Sequence, residues 1–182
     1  MKRFVHRAAS MLLAVAAASC MTMRVASHLE TGADFSQYRT WDWGAPDNLP
    51  TGDPRLDNNA FFIDHLTGAI EHALARQGLT RVDAGIKPDL LFHYHANVNQ
   101  RFDVVEATDC IGGDCKAQAI DYDQGTLVID AVDARTNKLV WRSWAQDSVQ
   151  GVIDNQDALE RKVDEAVATM FAQFPRAFQA AP

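Results

Sequence analysis

Residues 126–145 read TLVIDAVDARTNKLVWRSWA, and the fold turns on this stretch. Thr126 to Val132 is rich in β-branched residues, and Leu139 to Ala145 carries Val140, Trp141 and Trp144. Between them, Asp133-Ala134-Arg135-Thr136-Asn137-Lys138 supplies side chains that bond nearby backbone groups in turns. Two strands joined this way predict an antiparallel hairpin. Alternation puts Trp141 and Trp144 on opposite faces, so one is core and the other is offered to a surface.

Upstream, Pro88 to Val98 predicts another strand. Leu90, Phe92, Tyr94, Ala96 and Val98 share one face by strict alternation. Asp34 to Trp43, with Phe35, Tyr38, Trp41 and Trp43, predicts a first strand. The stretch from Gly44 to Pro54 is loop, because its prolines and glycines exclude regular structure. Residues 99 to 123 carry several charges and two cysteines, and read as a long irregular excursion.

Two helices complete the pattern. Phe62, Ile63, Leu66, Ile70, Ala73 and Leu74 recur at the 3.6-residue period, with Asp57, Asn58 or Asn59 as cap and Gly78 as terminator. Leu159, Val163, Ala166, Val167, Met170 and Phe171 give a second apolar stripe, started by a capping-box-like Asp157 and Glu160 and closed by Phe174-Pro175. The expected fold is α+β: a mainly antiparallel sheet of about four strands with two amphipathic helices packed on one face. No internal repeat is present.

The N-terminus reads as an address. Lys2, Arg3 and Arg7 precede the apolar run Met11 to Ala18, which is too short to cross a bilayer as a helix. Ala17-Ala18-Ser19 then lead to Cys20, which resembles the lipobox of bacterial lipoproteins, where the cysteine is acylated and becomes the new N-terminus. Ala17 stands where such motifs usually carry Leu, so an ordinary signal cleaved nearby remains the other reading. Met21 in place of Asp after the cysteine implies the outer membrane. The chain then divides into a signal peptide (1–19), a tether (20–33), one α+β domain (34–176) and a tail (177–182). Removing 19 of the 182 residues leaves 163, enough for one domain with a sizeable core. The formal charge falls from −7 to about −10 with the loss of Lys2, Arg3 and Arg7. So acidic a domain, without a basic stripe, repels phosphate backbones, which argues against nucleic-acid binding.

Cys110 and Cys115 close a six-residue segment in an oxidising compartment, where a disulfide is the natural reading. A metal site using both thiolates is the rival, and it lacks two further good ligands. His93 and His95, two apart on a strand, point to the same face as Asp89 and are weak candidates for a metal pair, being only half of a zinc site. His65 and His72 share one side of the first helix. Asp130 and Asp133 face opposite ways, and Asp121 to Gly125 echoes only a fragment of a calcium loop. No nucleophile elbow, Ser-x-x-Lys pair, His-Glu-x-x-His or phosphate loop occurs. No catalytic residue and no cofactor is therefore expected.

The set Asp34-Phe35-Ser36-Gln37-Tyr38-Arg39-Thr40-Trp41, Gly78, Pro88-Asp89-Leu90, Gly125-Thr126-Leu127, Asp130, Asp133 and Lys138-Leu139-Val140-Trp141-Arg142, with closing Phe174-Pro175, resembles domain-of-unknown-function family 4136, a family of small bacterial lipoproteins. The resemblance implies a fold and an envelope address and leaves the biochemical role open. Physics accounts for much of the shared set: Gly125 relieves the backbone entering a strand, Trp141 fills the core and Asp133 bonds turn amides. The expected function is a non-enzymatic interaction or accessory module, lipid-anchored (palmitate) at Cys20, facing the periplasm from the outer membrane, with a possible envelope-protein partner. The alternatives are a periplasmic metal- or small-ligand-binding domain using His93 and His95, and an envelope hydrolase with a dispersed site.

Overall fold

The hairpin on which the sequence turns is the middle of the sheet. The computed structural model describes residues 23–46, 49–57, 59–106 and 117–175. In chain order these form β1 (Arg24–Leu29), a 3-10 turn (Phe35–Gln37), β2 (Thr40–Trp43), α1 (Ala60–Arg76), β3 (Thr80–Arg81), β4 (Leu90–Glu106), β5 (Ala117–Asp133), β6 (Lys138–Ser148) and α2 (Gln156–Phe171). The strands make one six-stranded sheet in the order β1-β6-β5-β4-β2-β3. β1, β6, β5 and β4 pair antiparallel, while β2 pairs parallel with both β4 and β3.

The sheet is thus mixed and wider than the four antiparallel strands expected. The differences have local causes. β3 is two residues long, too short to show a period. β1 lies within the expected tether, and its burial does not alternate because it is an edge strand. The first strand starts late, at Thr40, because Asp34 accepts from the Ser36 amide (2.9 Å) and hydroxyl (2.6 Å), winding Phe35–Gln37 into a 3-10 turn. Residues 99–106 and 117–123 are regular ladder and not an irregular excursion, since β4 and β5 pair in unbroken register from Leu90↔Asp133 to Glu106↔Ala117.

Alternation sorts the sheet into two faces. On the inner one, Leu29, Trp141, Ala131, Phe92 and Trp43 lie side by side across five strands. Ala131, wholly buried between two large rings, leaves them room. α1 buries Phe62, Leu66, Ile70, Ala73 and Leu74 there, and α2 buries the stripe from Leu159 to Phe171. Trp141 meets Phe174 edge-on at 4.9 Å between centroids and Phe171 at 5.5 Å.

The ends of the elements follow ordinary capping rules. Asn59 caps α1 by accepting from the Phe62 amide, and Gly78 sits at φ 82° beyond its end. α2 is capped by Asn155, which accepts from the Ala158 amide, and not by the expected Asp157–Glu160 box. Gly125 lies well inside β5 and does not open it. Its role is close approach, because a Cβ there would stand 2.7 Å from Val149 Cγ1.

Trp141 is 1 % exposed and Trp144 lies half-buried on the outer face. Trp141→Ala is therefore expected to cost about 3–5 kcal/mol, and Trp144→Ala about 1 kcal/mol or less. Urea unfolding of the two variants measures the difference.

Candidate functional site

At one end of the sheet, three of the residues that carry the family resemblance converge. Asp89 Oδ2 accepts from the amides of Arg39 and Thr40 and from the Thr40 hydroxyl, each at 2.9 Å, which fastens the start of β2 to the start of β4. Asp133 Oδ1 accepts from the amides of Arg135 and Thr136, both at 2.8 Å, and so closes the β5–β6 turn. Its other oxygen accepts from the Tyr38 hydroxyl at 2.9 Å. The Ala134 amide donates to the Asp89 carbonyl, completing the joint. Asn137 takes the left-handed conformation (φ 56°) that the turn requires.

This geometry sets the proton affinities. Burial works against the charge on Asp133, but the Thr136 amide, the Tyr38 hydroxyl and the Arg135 amide outweigh it and hold the carboxyl below its ordinary pKa. Asp89 is lowered in the same way, by the Arg39 and Thr40 donors against burial. Tyr38 is pushed up to about 12, first by burial and then by its bond to Asp133. A carboxylate already accepting three hydrogen bonds and a phenol held protonated are poor proton shuttles near neutral pH. This joint is a staple.

A different site lies along the edge of β4. β2 stops at Trp43, where the Gly44 amide donates to the Phe92 carbonyl (2.8 Å). The chain then swings away and returns at Thr51, whose carbonyl accepts the Val98 amide (2.6 Å). Between these two points opens a cleft of about 680 Å³, lined by Trp43, Tyr94, Phe62, Ile63, His93 and His95 among others. Trp43 and Tyr94 pack edge-to-face at 5.6 Å, and Trp43 Nε1 donates to Glu71 (3.1 Å). Asp57 fixes the returning loop by accepting from the Thr51 amide and hydroxyl at 2.7 and 2.8 Å. Arg55 ties the same loop to Asp53 (2.6 Å) and to Asp154 before α2 (2.7 Å). Nothing in the periodicity around Gly44 to Pro54 pointed to this cleft. Only an aromatic pair flanking a glycine- and proline-rich loop could have hinted at it.

The two histidines share the outer face, as alternation requires, and both reach the cleft. His93 is occupied in packing: its ring lies over Gly44, so a Cβ there would stand 2.0 Å from its Cε1, and its Nδ1 is 3.2 Å from the Ala45 carbonyl. Asp130, opposite His93 in register, accepts from Nε and Nη2 of Arg142 at 2.7 and 2.6 Å. Asp89 is committed to the staple and joins neither histidine. Among the described residues no group of three or more His, Cys, Asp or Glu side chains comes together as a metal cage. His65 instead bonds Asp164 across the helix pair at 3.0 Å. Cys20, Cys110 and Cys115 lie outside the described residues.

Two further surfaces are exposed. Both helices cover the inner face, so the outer face presents a row Ala26, Trp144, Val128 and His95 beside a row His28, Arg142, Asp130 and His93. Beyond Gln124, β6 no longer pairs with β5, and residues 99–106 and 117–123 project as a two-stranded ribbon. Phe102 (75 % exposed) and Ile120 (47 %) stand on opposite faces of it. Both were hidden from sequence reading by the charges around them.

The sequence profile described as Domain of unknown function (DUF4136) matches residues 25–176. The chain belongs to this family. The match begins in β1, so the DUF4136 domain takes in part of the stretch expected to be a tether. Solved structures share the fold. A DUF4136 family protein from Bacteroides thetaiotaomicron is 14 % identical, with a TM-score of 0.51 over 85 % of this chain and 96 % of that one. A PDZ domain protein from Parabacteroides distasonis is 17 % identical, with a TM-score of 0.54 over 86 % of this chain. The DUF4136 chain spans only 37 % of that longer protein. No curated protein matches the sequence significantly.

The staple makes a pH-dependent contribution that can be measured. Tyr38 has a folded pKa (about 12) above its unfolded one, so its stabilisation is complete below pH ~10 and is lost as pH rises from ~10 to 12. Asp89 and Asp133 have depressed values, so theirs is present above pH ~4 and is lost on acidification below it. Tyr38→Phe is expected to be weaker by roughly 1–2 kcal/mol at neutral pH and to lack the alkaline slope. Urea midpoints of both proteins at neutral and alkaline pH test this.

Proposed function

We propose that this DUF4136 protein is a cell-envelope lipoprotein, acylated at Cys20 and facing the periplasm from the outer membrane, that acts as a non-enzymatic interaction module. The observation that carries the reading is the short distance between the anchor motif and the fold. Lys2, Arg3, Arg7, the apolar run Met11 to Ala18 and the small residues before Cys20 form an export and lipidation signal. β1 begins at Arg24, four residues beyond Cys20, a span of at most about 14 Å. A domain tethered so closely works at the lipid surface. Acylation of Cys20 would supply the hydrophobic anchor that keeps it there.

Two features support a binding role over catalysis. The staple carboxylates whose pKa is lowered are engaged with backbone amides, which leaves them poorly suited to acid–base work. The outer sheet face, with Trp144 half-buried at its centre beside Val128 and the Asp130–Arg142 pair, is apolar and polar by turns, as recognition surfaces are. A protein partner in the envelope suits that face.

Mass spectrometry of the mature N-terminus, with membrane fractionation of wild type and Cys20→Ser, tests the anchor. The expected result is an acylated N-terminal Cys20 in the membrane fraction and loss of membrane retention in Cys20→Ser. An intact leader in the cytosol would contradict it. Crosslinking in envelopes tests the module: Trp144→Ala is expected to lose a partner that wild type captures reproducibly, and equal capture rules that face out.

A further inference from the structure

We propose that the projecting β4–β5 ribbon is a self-association arm, through which two copies of this chain pair their β4 edges antiparallel about a two-fold axis at Phe102. The pairing goes beyond the anchored-module reading and does not depend on the lipid.

The backbone fixes which atoms point outward. The Phe92 carbonyl accepts from Gly44, and the Val98 amide donates to Thr51, so these even-numbered residues turn their polar groups towards the β2 side of β4. The β4–β5 register continues without a bulge to Glu106, so Gln100, Phe102 and Val104 aim their amides and carbonyls at the same edge. β2 reaches only as far as Phe92, and among the described residues no strand of the chain pairs with that edge from Asn99 to Glu106. A two-stranded ribbon with a bare edge is marginally stable in water and is a template for another strand.

Charge then selects the occupant and the register. Centred on Phe102, a second copy sets Phe102 against Phe102 and Gln100 against Val104 as hydrogen-bonded pairs, giving about six backbone bonds. The pairs that are not hydrogen-bonded fall on Arg101 and Asp103, so each Arg101 faces the Asp103 of the other copy, twice over. Side chains approach most closely at such positions, and opposite charges there are stabilising. Arg101 has no ion-pair partner of its own among the described residues, and a carboxylate can accept from more than one cation. Moving the axis by one pair destroys the match: centred on Gln100, Arg101 meets Asn99; centred on Val104, Asp103 meets Val105. The Thr51 carbonyl on Val98 ends the pairing, leaving Asn99 to Val105 as the contact. The β5 edge offers no equivalent. Between Ala117 and Asp123 its charges, Asp121 and Asp123, are all acidic, so two copies find no opposite pair there. On β4 the axis residue, Phe102, is also the most exposed large apolar side chain described on the ribbon. Isologous pairing of this kind closes as a dimer.

The test uses the full chain in mild detergent. In a Cys110→Ser/Cys115→Ser background, Phe102→Cys is expected to form a disulfide-linked dimer under mild oxidation, since residues facing each other across a hydrogen-bonded pair lie ~5.5 Å apart, within disulfide reach. Ile120→Cys, one strand further out on each copy and so ~14 Å from its counterpart, is expected to form none. Adding Arg101→Asp to Phe102→Cys is expected to lower the yield about tenfold, by turning two attractive cross-strand pairs repulsive, and Asp103→Arg on top of it to restore the yield. Sedimentation with Phe102 intact provides a separate reading: dimer for wild type, monomer for Arg101→Asp, dimer again for the double swap. No cross-link from Phe102→Cys, an equal one from Ile120→Cys, or indifference of both measurements to Arg101→Asp would overturn the proposal.

Discussion

The meeting of Trp141 with Phe171 and Phe174, beside Phe92, is the contact on which the rest of the molecule depends. It joins the central sheet to the second helix and to the turn beyond it, and it places four rings within 4.9 to 6.4 Å of a neighbour. Rings of this size bury more apolar surface than any other side chains and hold specific edge and tilted geometries. Ala131 makes room for them in the sheet, and Leu66, Ile70 and Leu74 close the layer from the first helix. Without that layer, the parallel pairing of β2 and the short β3 would have nothing to lie against.

The chain separates architecture from surface. Most of the resemblance to DUF4136 traces to joints: Asp89 clasping β2, Asp133 closing the hairpin and taking the Tyr38 hydroxyl, Trp141 in the core. Such residues keep a fold recognisable while leaving its role open. The candidate binding surfaces lie elsewhere, in the half-buried Trp144 of the outer face, in the cleft beside Tyr94 and in the ribbon carrying Phe102. Loops and edges of this sort are where binding is usually built on a rigid scaffold.

Much of the core was legible in the sequence because its signals are periodic. The β5–β6 hairpin, the inner face of β4 from Leu90 to Val98 and both helical stripes follow from spacings of two and 3.6 residues. The misses share a physical character. β1 is an edge strand without alternation, and β3 is too short to have a period. The ribbon that starts at Asn99 was masked by its charges, because a ladder with Phe102 exposed on one face and Ile120 on the other shows no apolar alternation. Asp34 diverted the first strand through a local side-chain bond that propensity does not weigh. The cleft could not be read at all, since it arises where β2 ends short of β4 and the intervening loop returns only at Thr51. The shared face of His93 and His95 follows from alternation, whereas the Gly44 backbone beneath the His93 ring has no signal in the sequence.

Hydrogen exchange across the whole chain tests most directly whether the sheet–helix contact organises the fold and the projecting elements hang from it. The account predicts that amides of Ile129, Ala131, Trp141 and the buried stripe of α1 exchange only through global unfolding. Amides along the outer edges of the ribbon would exchange far faster at dilutions where copies are separate. Central β5 amides exchanging as quickly as those of the ribbon would contradict the account, because the aromatic layer would then not be the last structure to come apart.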